Sequence, residues 1–153
     1  MAGSGQGELI ESIFGLRRPE SGTITYEGED ITRLSPRGHR VRRIGYVPQD
    51  RLGTGCSRES SILENCIMGY HVAHKFKNPL LVNKKEAESF AGHVVEDFSV
   101  KTPDVYTPIG SLSGGNIQKV VVGREFLQEN DLLVIEDPTR GIDVGAIEFI
   151  WQK

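Results

Sequence analysis

Residues 110–126 read GSLSGGNIQKVVVGREF. Serine is a favoured helix N-cap, and the free N–H groups of the first turn together with the positive end of the helix dipole form a cradle for an anion. An ordinary capped helix needs only the serine. The run Leu112, Ser113, Gly114, Gly115, Asn116, continued by Ile117 and Gln118, specifies more than that. Just downstream, DLLVIEDPTRGID (131–143) places four consecutive apolar residues, Leu132 to Ile135, between acids and Pro138. That pattern predicts a buried parallel strand ending at a loop, and hence an α/β fold. Ligands in such folds bind beyond the carboxyl ends of the strands, where Glu136 and Asp137 stand. One acid can hold Mg²⁺, directly or through water, and the next can orient an attacking water. A solvated acidic turn has the same local sequence.

At the other end, MAGSGQGELIESIFGL (1–16) runs Gly3, Gly5 and Gly7 into a stretch with helical apolar spacing, Leu9, Ile10, Ile13, Phe14 and Leu16. Glycines let backbone N–H groups turn toward phosphate oxygens. A full loop of this kind also carries a lysine for the β/γ-phosphates and a hydroxyl for Mg²⁺. Gln6 and Gly7 occupy those two positions. A plain glycine turn into a helix reads the same way, so the loop by itself leaves both readings open.

Between these ends, SGTITYEGEDI (21–31) predicts a short hairpin and RRIGYVPQD (42–50) a strand closed by Pro48. Ser61 with Glu64, and Asn83 with Glu86, predict capping boxes. Residues Ala87, Phe90, Ala91, Val94, Val95 and Phe98 fall on one helical stripe. At 153 residues with a net charge of −3, the chain is about one domain long and gives no bulk electrostatic case for nucleic acid. Arg33, Arg37, Arg40, Arg42 and Arg43 cluster in RLSPRGHRVRR without interleaved aromatics, so a solvated face is expected. Cys56 and Cys66 read as reduced packing residues in a cytosolic setting. No window reaches the roughly 18 apolar residues of a membrane span.

Taken together, SGQGE, GYVPQD, LSGGNIQKV and LLVIEDPTRGID resemble, in order and spacing, the motifs of an ATP-binding cassette (ABC) transporter ATPase. SGGNIQKVVVGREF, PTRGIDVGA and ELIESIFGL resemble the second cassette of tandem ATPases that drive import of simple sugars and nucleosides, and TPDVYTPIGSLSGGNIQK leans toward the nucleoside branch. The resemblance implies a P-loop NTPase fold with a mixed sheet and a helical subdomain, incomplete at both ends. Residues 1–51 and 129–153 would form the RecA-like core with its hairpin, and 52–128 the helical subdomain.

By the same resemblance, Gly3, Ser4, Gly5, Gln6, Gly7 and Glu8 form the phosphate loop, with Gln6 at the lysine position and Gly7 at the Mg²⁺-binding hydroxyl. Gln49 is the Q-loop glutamine, reaching Mg²⁺ through water. Leu112, Ser113, Gly114, Gly115 and Asn116 form the signature motif, which acts on ATP held by a partner cassette. Glu136 stands at the metal-holding Walker B aspartate, Asp137 at the catalytic glutamate, and Asp143 in the D-loop. ATP and Mg²⁺ are the implied ligands. The implied partners are a second cassette in the same full-length chain, a membrane permease, for which Met68 and Tyr70 are candidate contacts while core packing accounts for them equally well, and indirectly a solute-binding protein. Nucleic acid is not among them, and the implied location is the cytoplasmic face of the membrane. A missing lysine and hydroxyl weaken the chain's own loop, so a regulatory cassette with little hydrolysis is the alternative. A DNA-repair or structural-maintenance head shares the signature logic, but the sustained heptads of its coiled coil are not in this sequence.

Overall fold

The computed structural model describes residues 5–71, 76 and 82–137. Gly5 takes φ 75°, a left-handed conformation that glycine adopts without strain, and helix α1 (Gln6–Ile13) starts there. Its buried Ile10 and the following Phe14 pack with Ile31 and Ile44 into one apolar cluster. The expected hairpin forms as β1 (Thr25–Tyr26) and β2 (Glu29–Asp30), with Gly28 at φ 83° in its turn. Tyr26 is half-buried and packs against the α1 cluster.

The basic stretch does more than lie in solvent. Ser35 caps a short helix, α2 (Pro36–Val41), with Pro36 in its first turn. His39 on that helix is 1% exposed. Arg42 pairs with Glu29, and Arg43 with Asp131 and the Glu129 carbonyl. Arg40 lies 5.2 Å from the Tyr70 ring centroid. Three of the five arginines therefore tie the chain to itself, which a charge count cannot reveal.

Strand β3 (Ile44–Val47) pairs in parallel with β4 (Leu132–Ile135), with Ile44 opposite Leu132 and Val47 opposite Ile135. Among the described residues this pair and the hairpin are separate two-stranded sheets, and every β4 residue is half-buried. The expectation of full burial fails because, among those residues, β3 is the one strand that β4 pairs with.

After β3, Asp50 accepts N–H bonds from Leu52 and Gly53 and opens a wide π-type turn, Arg51–Gly55, that the sequence does not announce. Helix α3 (Ile62–Ile67) carries the complete Ser61–Glu64 capping box, with Ser61 N–H donating to Glu64 at 2.7 Å and Glu64 N–H to Ser61 Oγ at 3.2 Å. Helix α4 (Lys84–Asp97) has only half of its box, the Glu86 N–H to Asn83 bond. Its predicted stripe is buried through Ala87, Phe90, Ala91 and Val94. Helix α5 (Gly114–Phe126) packs on α3 and α4 through Ile117, Val120, Val121 and Val122, in a core that also takes Val47 from β3. At Gly123 a β-carbon would sit 2.8 Å from the Phe98 ring, so the glycine is a notch holding that ring.

A buried polar chain crosses this core. Glu125 accepts from Tyr70 O–H at 2.5 Å and from Arg124 Nε at 2.9 Å, while Arg124 donates to the Asn65 carbonyl at 3.2 Å. Tyr70 is thus a core residue, 5% exposed, rather than a surface contact for a partner.

Burial also sets the alkaline limit of the fold. Cys66 is fully buried and its thiol is pushed up to about 12; burial likewise raises Tyr70 and Tyr46 well above the ordinary phenol range. All three are neutral in the folded chain, whereas in the unfolded chain Cys66 ionises above its ordinary value of 9.0 and the tyrosines above 10.0. A raised group favours folding below its unfolded pKa and loses that contribution as pH rises toward the folded value. Stability is therefore expected to be flat through neutral pH and to fall by about 1.4 kcal/mol per pH unit for each group once pH exceeds that group's unfolded value, 9.0 for Cys66 and 10.0 for the tyrosines. Urea titrations at pH 7, 9, 10 and 11 check this; burial raises the Cys56 thiol as well, so Cys66→Ala should lessen the loss between pH 9 and 10 without abolishing it.

Candidate functional site

The parallel register of β3 and β4 brings their carboxyl ends side by side, so the residues that follow each strand meet. Gln49 Nε2 donates to Asp137 Oδ2 at 3.2 Å. Glu136 is half-buried, and its Oε2 accepts Tyr46 O–H at 2.8 Å and, at the long distance of 3.5 Å, the Gln49 N–H. Residues 88 positions apart in sequence thus form one polar cluster. Asp137 is exposed at φ 43°, a conformation that Asp tolerates better than most residues.

Tyr46 is the residue of this cluster that sequence reasoning passed over. Its phenol is raised first by burial and then by its bond to Glu136, so it stays a donor well into the alkaline range. Its ring stacks on Phe14 at 4.6 Å between centroids, with 18° between the planes. Tyr46 therefore links the acids to the helix that leaves the glycine loop. The only sequence signal was its place in the β3 alternation.

Two carboxylates and an amide oxygen make an all-oxygen donor set, suited to a hard cation such as Mg²⁺. With Gln49 Nε2 committed to Asp137, its Oε1 is the acceptor left to offer. No group of three or more His, Cys, Asp or Glu that could hold a metal occurs among the described residues. The set fits Mg²⁺ as it is usually bound, by one or two carboxylates together with phosphate oxygens.

Of the loop residues, Gly5, Gln6 and Glu8 are exposed and Gly7 is half-buried within α1. Gly3, Ser4 and Asp143 lie outside the described residues. A β-carbon on Gly7 would meet nothing within 4 Å, so its side chain is not excluded by packing. Gly7→Ala should stabilise α1 by about 0.5–1 kcal/mol, read in urea unfolding. The double change Gln6→Lys with Gly7→Thr should raise affinity for Mg²⁺-nucleotide by about tenfold, by adding one charge and one metal ligand. Unchanged affinity in a nucleotide titration would remove the reading of residues 3 to 8 as a phosphate loop.

The signature residues form a second, separate feature. Ser113 caps α5 by accepting the Asn116 N–H. Ser113 is exposed, Gly114 half-buried and Gly115 buried, while Leu112 packs against the helical core. The helix entrance expected to point outward does so at its serine. None of the described contacts joins it to the Gln49–Glu136–Asp137 cluster.

Comparison with known proteins follows the same lines. The sequence model of the family described as ABC transporter matches residues 1–140. The guanosine import ATP-binding protein NupO of Bacillus subtilis (strain 168) is 42% identical over 151 residues, covering 99% of this chain and 30% of that protein. The nucleoside import ATP-binding protein NupA of Lactococcus lactis subsp. cremoris (strain MG1363) is 36% identical over 151 residues, again 99% of this chain and 30% of the relative. The galactofuranose transporter ATP-binding protein YtfR of Escherichia coli (strain K12) is 36% identical over 146 residues, covering 95% and 29%. The chain therefore spans about a third or less of the length of these curated relatives. A crystal structure of a nucleotide-free ATP-binding cassette from an ABC transporter superposes with TM-score 0.75 at 23% identity, covering 99% of this chain and 61% of that one, and so shares the fold. With the ordered motifs, the parallel strand pair and the serine-capped α5 all in place, the chain belongs to the ABC transporter family.

Proposed function

We propose that this chain is part of the ATP-hydrolysing subunit of an importer for nucleosides or simple sugars, working at the cytoplasmic face of the membrane. The observation that carries the reading is the exposed Ser113 at the entrance of α5. An exposed N-terminus with a serine hydroxyl and free amides is suited to the triphosphate of a companion cassette. In this arrangement residues 112 to 116 complete a site whose phosphate loop belongs to the companion, and a permease converts the closure of the pair into transport. Residues 1–51 and 129–153 act as the nucleotide-facing core, and 52–128 as the helical unit that carries the signature.

Within the chain's own site, Gln49, Glu136 and Asp137 are the residues that would hold Mg²⁺ and the attacking water. Held there, the ion would supply positive charge to the phosphate oxygens. Gln49 holds the Asp137 carboxylate in place, and Tyr46 holds Glu136. ATP-dependent uptake of labelled nucleosides or sugars into vesicles containing the intact natural protein and its permease tests the reading; vesicles that take up neither, with ATP inside, overturn it.

A second reading, a cassette that binds nucleotide and hydrolyses little at its own site, is favoured by Gln6 and Gly7 where a lysine and a hydroxyl belong. ATP turnover of the intact protein separates the two. Asp137→Asn lowers turnover severalfold or more if this site hydrolyses, and leaves it unchanged if the site only binds.

A further inference from the structure

Ser113 and Asn116 are joined by more than the helix cap. Ser113 Oγ accepts the Asn116 backbone N–H at 3.4 Å and the Asn116 side-chain Nδ2 at 3.0 Å. The orientation of that side-chain amide is fixed from its other end, because the Lys101 N–H donates to Asn116 Oδ1 at 2.9 Å. A flipped amide would set two donors against each other at Lys101, whose N–H can only donate.

A serine hydroxyl has two lone pairs and one hydrogen. Asn116 occupies both lone pairs, and among the described residues Ser113 Oγ accepts and does not donate. The hydrogen is what remains to be offered, and Ser113 is exposed. An ordinary capping serine accepts one N–H and leaves its hydroxyl free to rotate between donating and accepting. The second bond, from Nδ2, removes that freedom.

We propose that Asn116 is a positioning residue that makes Ser113 a one-way donor, aimed at an anion outside this chain and anchored by the Lys101 main chain. This rests on the reading above, that the entrance of α5 faces a companion's triphosphate. It adds that the side-chain amide of Asn116 prepays the orientation of the hydroxyl before the phosphate arrives.

The test is a double-mutant cycle on ATP turnover of the intact natural protein assembled with its partners, using Ser113→Ala, Asn116→Ala and the double variant. Ser113→Ala is expected to lower kcat by about hundredfold, and Asn116→Ala by about tenfold. The double variant should match Ser113→Ala within about twofold, because without the hydroxyl there is nothing left to orient. Thermal midpoints are measured in parallel, and a purely structural role predicts the same loss of midpoint and of turnover in both backgrounds. Equal factors for Asn116→Ala with and without the serine hydroxyl overturn the proposal, as does Asn116→Ala without effect on kcat. If Ser113→Ala itself leaves turnover unchanged, the placement of α5 against a triphosphate fails first, and the proposal falls with it.

Discussion

Transport by the intact protein is expected to fall by about hundredfold or more when Gly115 is replaced by Asp. Gly115 is the second residue of α5, buried in the turn whose N–H groups form the anion cradle. A carboxylate there places negative charge where the proposed triphosphate binds and fills the space its oxygens would approach. Gly115 is buried, so a side chain there also costs the fold, and the roughly 0.3–1 kcal/mol favouring an acid in the first turn of a helix offsets only part of that cost. Uptake is therefore read beside the thermal midpoint and beside Gly115→Ala, which adds bulk without charge; loss of uptake by the folded Asp variant well beyond that of the alanine variant is the expected result. Uptake at the parental rate would show that the entrance of α5 faces no phosphate.

The second large effect concerns stability. Glu125 is 0% exposed and Arg124 2% exposed, and each is the other's charge partner. Glu125→Ala leaves a buried guanidinium uncompensated and strips the Tyr70 hydroxyl of its acceptor, at an expected cost of about 3–5 kcal/mol. That is a large part of the 5–15 kcal/mol typical of a whole domain. Replacing both charges by apolar residues of similar volume, Arg124→Met with Glu125→Leu, is expected to cost far less and can raise stability. Urea denaturation of the single and double variants checks both statements. A single variant as stable as the parent would mean that the pair is not buried in solution.

Much of this architecture was legible in the sequence. Four apolar residues between acids gave β4, the spacing of Ala87 to Phe98 gave α4, and Ser61 with Glu64 gave the start of α3, because each pattern is local and has one dominant physical cause. The turn at Arg51–Gly55 was not legible, since it depends on Asp50 bonding forward to Leu52 and Gly53 rather than on any periodicity. Helix α2 carried a clear signal, Ser35 followed by Pro36, which the surrounding arginines obscured. Half-burial of β4 could not be read either, because an apolar run reports what a strand can bury and not how many neighbours it has. At the candidate site, the residue types were evident, whereas the contact of Gln49 with Asp137 needed the parallel register of two strands far apart in the chain. Tyr46 and the Lys101 main chain escaped notice for a related reason, since both act by supporting a residue that carries the motif.

The notch at Gly123 bears on how the signature can move. The Phe98 ring is seated against it and meets Phe126 edge-on at 6.0 Å, while Lys119 reaches the Ser99 carbonyl and Asn116 the Lys101 N–H. Residues 98–101 are thereby keyed into α5 along three of its turns, like a bolt in a slot. A swing of α5 toward the proposed companion would drag α4 with it, so spectroscopic probes attached to either helix should register a single displacement with a common amplitude and rate.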